Sequence, residues 1–447
     1  MRDWEGTIVA RSTPLGHGAV GIVRLSGRDA VTIADRFVRV GSGSSLADLP
    51  ARYLGGAVIE RDGAAWDRCL VVRFEGPRSF TGEDVVELHV HGNPLIVDGV
   101  VDLAVSLGAR RATSGEFTMR AVLNGKLDLL QAEAVGEAIT AESEVAIRIA
   151  QRQLGGELSR AVAELRRRVI DAIARLELEL DFAEEGYSFV AGDELRALVG
   201  DLRRQIESLL RSFRGGERLR TGPRVILLGR PNAGKSSFFN SVLGYSRALV
   251  SDVAGTTRDY LEERVVHGGL VIHLVDTAGL RSTEDLLEAE GVRRSWRLIG
   301  ESDLALYLVD ASDAEAVEAS GRELAAFEEA YPDVRIERVW SKVDRVSAPP
   351  SGLRCSLVDP ASVDAILDRI ATLCARTQTG DAALVSQRQA SILKEMESIL
   401  ADVQLEGGAE LLSADLRRLL EPLGALSGDV SNEDVLDAVF GNFCIGK

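Results

Sequence analysis

The spacing of apolar and polar positions divides the chain into stretches of different period. Val20-Gly-Ile-Val-Arg-Leu25 and Asp84-Val-Val-Glu-Leu-His-Val-His91 read as strands, with Gly27, Gly82 and Gly92-Asn-Pro94 as turn punctuation. Residues 95–107 fit a helix, so the chain up to about residue 120 is expected to be mixed α/β. From about residue 121 the period becomes helical, and Gln131-Ala-Glu-Ala-Val135 opens a long run with few breakers. Val162, Leu165, Val169, Ile173, Leu176 and Leu180 form one stripe at a spacing of three or four, and Leu195, Leu198, Leu202, Ile206, Leu209 and Phe213 form another. Both read as bundle cores. The acidic Asp181-Phe-Ala-Glu-Glu185 reads as a solvated interhelical turn and not a metal site. Arg214-Gly-Gly216 and Thr221-Gly-Pro223 mark a boundary, beyond which strand and helix patterns alternate to about residue 377. Helical patterning resumes after Thr377-Gln-Thr-Gly380, with Leu416, Leu419, Leu420 and Leu423 near its end. The simplest topology is a helical domain interrupted by an inserted α/β domain. The expected division is 1–120, 121–217, 218–377 and 378–447.

Composition narrows the class. A chain of 447 residues exceeds one core and suggests about three domains at the usual ~100–200 residues each. With 45% hydrophobic residues it can bury sizeable cores, and no run approaches the ~18 apolar residues of a membrane span. The four cysteines (Cys69, Cys355, Cys374, Cys444) are scattered with no Cys-x-x-Cys pair, which suits a reducing cytoplasm. No signal-peptide core is evident at the N-terminus, and a cytoplasmic location is expected. A net charge of −17 argues against a general polyanion-binding surface, hence against DNA; any nucleic acid is met by a local patch or through a partner.

The chemistry concentrates in Gly229-Arg-Pro-Asn-Ala-Gly-Lys-Ser236, between the apolar run Val225-Ile-Leu-Leu228 and the helical Ser237-Phe-Phe-Asn-Ser-Val-Leu243. Strand, glycine-bounded loop and helix are the context in which G-x-x-x-x-G-K-S cradles phosphate. Its backbone N–H groups turn inward and the helix N-terminus adds positive potential. Lys235 is placed to reach the β- and γ-phosphates, and the Ser236 hydroxyl to ligate Mg²⁺. Asp276-Thr-Ala-Gly279 follows the strand Val271-Ile-His-Leu-Val275: an Asp there holds Mg²⁺ through water and the Gly279 N–H senses the γ-phosphate. Gly255-Thr-Thr-Arg-Asp259 supplies a threonine able to close over the metal as a switch. Ser341-Lys-Val-Asp344 follows Arg335-Ile-Glu-Arg-Val-Trp340, and the Asp344 carboxylate accepts from guanine as it would not from adenine. In this order, each after a strand pattern, the motifs predict a GTPase. Leu280 stands where Ras-like enzymes place a water-orienting glutamine, and Asn232 puts an amide carbonyl near the phosphates. A K⁺ held there would replace the charge of an arginine finger, worth roughly 10³–10⁵ in rate.

These motifs, with Thr81-Gly-Glu-Asp-Val-Val-Glu87, His91-Gly92, Gly115-Glu-Phe-Thr118, Asn124-Gly-Lys-Leu-Asp128, Gln131-Ala-Glu-Ala134 and the terminal Phe443-Cys-Ile-Gly-Lys447, make the chain resemble the tRNA-modification GTPase family MnmE (TrmE) over nearly its full length. The resemblance implies α/β plus all-α architecture. An N-terminal α/β domain dimerises and binds a formyl-tetrahydrofolate, a helical domain follows, and a Ras-like P-loop G domain with a mainly parallel sheet is inserted into it. Its nucleotide contacts fall on Asn232, Ala233, Gly234, Lys235, Ser236 and Ser237, on Ser251, Asp252, Val253, Ala254, Gly255, Thr256 and Thr257, on Asp276, Thr277, Ala278 and Gly279, and on Ser341, Lys342 and Asp344. It assigns Mg²⁺ to Ser236 and Thr257, and K⁺ to Asn232, the Thr256 hydroxyl and the carbonyls of Ser251 and Val253. Catalysis is expected from Lys235 and from Glu288, which would orient water as two G domains meet. The 5-formyl-tetrahydrofolate site is carried onto Arg24, Glu87, Lys126 and Lys447, with Cys444 nearby as a chemical participant or merely packed. Arg and Lys suit the folate's glutamate carboxylates and a carboxylate suits the pterin N–H edge. An MnmG (GidA) partner would bring FAD and NADH, since the chain has no dinucleotide fingerprint, and tRNA would be the substrate.

The chain departs from the family pattern at Ser341, where an Asn is expected. The substitution removes an amide that would bond guanine and tie down the phosphate loop, for ~1 kcal/mol or more. The base-contact loop Cys355-Ser-Leu357 reads as degraded, and His17 replaces an Arg. His89 and His91 share a strand face, where packing is the expected role. Two rival functions are a ribosome-assembly switch GTPase and a folate-dependent one-carbon transferase whose G domain is only regulatory.

Overall fold

A computed structural model describes residues 6–41, 45–181, 192–245, 261–276, 299–300, 302–332, 334–375, 386–403, 408–428, 439–441, 443 and 445–446. The chain forms two compact units, Met1–Ile139 with Arg152–Leu202 and Lys394–Lys447, and Thr140–Gln151 with Arg203–Leu393.

The first unit opens with a seven-stranded sheet. Its strands are β1 (Ile8–Arg11), β2 (Val20–Ser26), β3 (Val38–Val40), β4 (Gly55–Arg61), β5 (Ala64–Phe74), β6 (Val85–His91) and β7 (Arg110–Arg111), in the order β3-β4-β5-β6-β2-β1-β7. All neighbours are antiparallel except β1 and β7. The period of two sends Val23, Leu25, Val86 and Leu88 to one face, under Val97, Val100, Val101 and Ala104 of the helix Pro94–Ser106. That helix starts where the sequence signals it: Asn93 accepts the Leu95 N–H at 2.9 Å and Pro94 takes the first turn.

The helices follow the apolar stripes. Within the 25-residue helix Glu157–Asp181, Val162, Leu165, Val169 and Leu176 are each 1% exposed. Each such burial stabilises by roughly 1.5–3 kcal/mol. Leu180, placed in the same stripe by spacing, is exposed, because the packed face ends before the helix does. In the helix Gly192–Thr221 the buried line runs through Val199, Leu202, Ile206 and Leu209, and Leu198 is only partly covered. Spacings of three and four from Leu202 are both helical, and the three-residue step wins. Phe213 and Leu195 lie outside the described side chains. Arg214-Gly-Gly216 marks no boundary: the helix runs through it to Thr221. Each glycine costs about 1 kcal/mol in a helix, which the surrounding good helix formers offset. The break falls at Gly222, whose φ of +88° no side chain would tolerate there, since a Cβ would come 2.1 Å from the Val271 carbonyl oxygen.

The second unit holds a six-stranded sheet of β8 (Arg224–Leu228), β9 (Leu261–His267), β10 (Leu270–Asp276), β11 (Leu304–Asp310), β12 (Arg335–Ser341) and β13 (Leu353–Arg354), in the order β13-β12-β11-β8-β10-β9. Every pair is parallel except the β9–β10 hairpin, so the mainly parallel sheet expected from the sequence is found. Helices cover both faces. Phe238 and Phe239 of Lys235–Tyr245, with Ile366 and Ile370 of Pro360–Ala375, pack on one side. Ala316 of the helix Ala314–Ala330 packs on the other.

Candidate functional site

In an open parallel sheet, ligands sit outside the carboxyl ends of the strands, near the point where strand order reverses. Here those ends carry the loop Gly229–Ser236 after β8, Asp276 closing β10, Asp310 closing β11 and Ser341 closing β12. The sequence spreads these groups over more than a hundred residues; strand order brings them side by side.

The phosphate loop has the backbone its motif needs. Gly229 takes φ +136°, where a Cβ would lie 2.3 Å from the Leu308 carbonyl oxygen, so the loop turns tightly over β11 only because the residue is glycine. Asn232 takes φ +61°, the left-handed region that Asn tolerates better than most residues, and its side chain is exposed. Lys235 Nζ donates to the carbonyls of Gly229 and Arg230, both at 2.9 Å, which holds its charge over the loop's hollow. Ser236 and Ser237 are exposed in the first turn of the helix Lys235–Tyr245, while Ala233 is buried and anchors the loop to the core. Asp276 is 1% exposed at the end of β10.

The base-binding end differs from its sequence reading. Ser341 does not release the phosphate loop: its buried hydroxyl lies 2.7 Å from the Ala233 carbonyl and 3.1 Å from that of Val309. A short side chain at the end of β12 thus makes the tie to the phosphate loop; the guanine contact expected of an amide is a separate role that a hydroxyl does not take over. Cys355-Ser-Leu357, which the sequence reads as degraded, supplies one tie to Asp344. The Ser356 hydroxyl donates to Asp344 Oδ1 at 2.8 Å, orienting the carboxylate that would read guanine. Lys342 Nζ reaches Asp310 Oδ2 at 2.6 Å. Burial alone would raise the Asp310 carboxyl; Lys342 and the Ser312 hydroxyl and amide outweigh it and hold it below the ordinary value. Burial, aided by the Asp344 charge, pushes the Cys355 thiol up to about 11, so it is an inert packing group.

A second cluster lies on the sheet face of the first unit that the helix Pro94–Ser106 does not cover. Register pairs Arg24 on β2 directly with Glu87 on β6, and Arg24 Nε donates to Glu87 Oε1 at 2.8 Å. The two side chains are 18% and 15% exposed, so this is a partly desolvated pair and no surface bridge. The guanidinium also stands 5.7 Å and 5.9 Å from the Phe117 and Phe80 ring centroids. His89 turns to Glu87 at 3.4 Å, and His91 to Asp67 at 2.6 Å, so each histidine has its own carboxylate.

The motif Thr81–Glu87 is locked to the segment 116–126. Ser26 Oγ lies 2.7 Å from Thr81 Oγ1 and donates to Glu83 at 2.7 Å. Arg120 binds Glu83 and the fully buried Glu116, and Asn124 donates to the Thr81 carbonyl. Lys126 Nζ is held by the Pro77 carbonyl at 3.0 Å, beyond the loop that carries Phe80. Sequence reasoning quoted Glu83 and Glu116 within motifs without giving them a role and did not name Arg120; the available signal was an arginine four residues after Glu116, on one helix face.

The chain's far end joins this unit. Phe440 and Phe443 pack with Met119, Leu129 and Ala132, Ile445 bridges to Ser114, and Ser12 Oγ reaches the Gly446 carbonyl at 3.3 Å. Gly446 therefore lies beside the end of β1, the strand that pairs with β2 at Ala10 and Arg24. Ser251, Asp252, Val253, Ala254, Gly255, Thr256, Thr257, Thr277, Ala278, Gly279, Leu280, Glu288, Cys444 and Lys447 lie outside the described residues.

Two family models match the chain, the "GTP-binding protein TrmE N-terminus" over residues 7–126 and the "MnmE helical domain" over residues 129–444. The tRNA modification GTPase MnmE of Chlorobium chlorochromatii is 37% identical across 98% of each chain. The Aquifex aeolicus protein of that name is 37% identical over 98% of this chain and 99% of its own. That of Acinetobacter baylyi is 37% identical over 100% and 97%. Among solved structures, the G domain of the T. maritima FeoB iron transporter aligns at 22% identity over 34% of this chain and 97% of that one, with a TM-score of 0.26. End-to-end identity at this level, with family models spanning both units, leaves one conclusion: the chain belongs to the MnmE family of tRNA modification GTPases.

Proposed function

We propose that this protein is a potassium-stimulated GTPase that modifies C5 of the tRNA wobble uridine, using a tetrahydrofolate one-carbon unit and a flavin-dependent MnmG partner. The observation that carries the nucleotide half is the convergence of Gly229–Ser236, Asp276 and Ser341–Asp344 at the same edge of the sheet, on the ends of β8, β10 and β12. The tRNA half rests on relatives named tRNA modification GTPase that match from end to end.

The residues suit the groups they would hold. The exposed Ser236, after β8, and the buried Asp276, at the end of the neighbouring β10, are oxygen donors of the kind Mg²⁺ takes. Asn232, held at positive φ with its amide in solvent, is fit for a monovalent cation beside the phosphates. Arg24, Glu87 and Lys126 offer folate the charges its carboxylates and pterin edge need, with the C-terminal segment docked on the same unit. When bound, Mg²⁺ and K⁺ supply positive charge against the phosphates, and the folate supplies the one-carbon unit. The chain's own residues do the rest. Backbone amides and Lys235 bind the phosphates, Asp344 selects guanine under the hold of Ser356, and Ser341 keeps the loop closed. Glu288 is proposed to orient water as two G domains meet, in a homodimer built on the N-terminal sheet, with FAD and NADH chemistry left to MnmG in the cytoplasm. The Ser341 and Ser356 hydrogen bonds weigh against a G domain that is merely vestigial.

GTP turnover of the purified protein in KCl and NaCl at matched ionic strength tests this reading. A clearly faster rate in KCl is expected; equal, negligible rates in both salts would overturn it.

A further inference from the structure

The two limbs of the phosphate loop are held by different means. On the helix side, Ala233 is buried and packs with Phe238 and Phe239. On the strand side, Arg230-Pro231-Asn232, with the edge of Ala233, borders an open cavity of about 150 Å³ that Tyr307, Asp310 and Asp313 also line. Pro231 and Asn232 are exposed, so packing alone does little to place this limb. Asn232 nevertheless holds a left-handed backbone, a conformation open to Asn but one that its neighbours must select.

Arg230 makes the difference. Its Nε and Nη2 donate to Glu323 Oε1 at 3.0 and 2.8 Å, and its Nη1 to Glu315 Oε1 at 3.0 Å. The other oxygen of Glu323 accepts from the Tyr307 hydroxyl on β11, and the Tyr307 ring packs on Phe327 at 5.8 Å. Glu315, Glu323 and Phe327 all lie on the helix Ala314–Ala330, which Asp313 caps through the Glu315 and Ala316 amides. The Tyr307 hydrogen bond, and Arg230 against the opposing effect of burial, hold the Glu323 carboxyl below its ordinary value, so the clamp is charged at neutral pH. Of the other carboxylates facing the cavity, Asp310 is taken by Lys342 and Asp313 by the helix N-terminus. The clamped limb then feeds forward: the Arg230 carbonyl accepts from Lys235 Nζ, and Asn232 follows two residues on.

We infer that Glu323 is a positioning residue for the phosphate loop, acting through Arg230 and Tyr307 to place Asn232 and thereby to set the potassium-dependent part of GTP turnover. The inference rests on the potassium reading proposed above. Lys235, which binds phosphate, keeps its second tie to the Gly229 carbonyl at 2.9 Å and lies on the packed helix side, so loss of the clamp falls chiefly on the cation side. A displacement on the order of 1 Å at a positioned group costs about ten- to a hundred-fold in rate.

The test compares wild type, Glu323→Gln, Tyr307→Phe and the control Glu315→Gln, whose carboxylate is mostly exposed. Each is measured for kcat and KM for GTP in KCl and in NaCl, for affinity toward a fluorescent GDP, and for thermal unfolding. Glu323→Gln is expected to lower kcat in KCl by about ten-fold or more while its rate in NaCl, KM and GDP affinity stay at wild-type values. Tyr307→Phe should move the same way by less, and Glu315→Gln should match wild type. An equal fall in both salts, or undiminished potassium stimulation in a folded Glu323→Gln, would overturn the inference while leaving the potassium reading intact. Absence of potassium stimulation in the wild type would remove that reading, and this inference with it.

Discussion

Ser341→Ala is the sharpest probe of the base-binding end. The Ser341 side chain is buried, and its single hydroxyl proton serves the Ala233 carbonyl at 2.7 Å or that of Val309 at 3.1 Å. Ala233 and Val309 are 3% and 2% exposed, so water cannot readily replace the lost donor. Stranding a buried carbonyl costs about 1–3 kcal/mol, against ~1 kcal/mol for an ordinary net hydrogen bond. Part of that cost falls on the ordered phosphate loop, which nucleotide binding must then restore. At 1.4 kcal/mol per decade, a loop share of ~1 kcal/mol weakens GDP binding about five-fold. Equilibrium titration with a fluorescent GDP, paired with a thermal melt of the same samples, reads both parts. The expected result is weaker binding with a lower melting temperature. Wild-type affinity and an unchanged melt would mean that the Ser341 hydroxyl does not tie the loop, as expected from the sequence alone.

Gly446→Ala should undock the C-terminal segment, because at φ +99° a Cβ would lie 1.9 Å from the Arg11 carbonyl oxygen. Isothermal titration with 5-formyl-tetrahydrofolate should show weakened binding while GTP turnover is unchanged; intact folate binding would separate the tail from that site. The buried Glu116 makes the first unit acid-sensitive. Burial alone would raise its carboxyl, but the Arg110 hydrogen bond, the Thr113 amide and the charges of Arg110 and Arg120 hold it below its ordinary value of 4.5. Stability from this group is therefore complete above about pH 4.5 and is lost as pH falls through the lower folded value. Denaturant unfolding from pH 7 to pH 3 should show Glu116→Gln less stable at neutral pH with a flatter acid limb; parallel acid limbs would contradict this.

The sequence shows most plainly what local chemistry controls. Strands β2, β6, β8, β10 and β12 follow from apolar runs bounded by turn residues, and the phosphate loop from its glycines and Lys235. Three-dimensional partners were not legible. Nothing local says that Ser341 reaches Ala233, that Ser356 holds Asp344, or that Glu323 receives Arg230, because each pair joins elements that meet only once the sheet forms. Glycine misled where neighbours outweighed it, at Arg214-Gly-Gly216, and was decisive where a backbone approach forbids any Cβ, at Gly222, Gly229 and Gly446. Spacing alone could not choose between Leu198 and Val199, since both are one turn from Leu202. Arg24 and Glu87 were named singly, by resemblance; the cross-strand register is what makes them a pair.

The central claim is that GTP turnover at Gly229–Ser236 serves modification of a tRNA base. Mass analysis of wobble-position nucleosides in tRNA tests it most directly, in cells lacking this gene and in the same cells carrying the wild-type gene or Lys235→Ala. The C5-modified uridine should disappear without the gene, return with the wild type and stay absent with Lys235→Ala. An unchanged nucleoside profile in cells lacking the gene would contradict the claim.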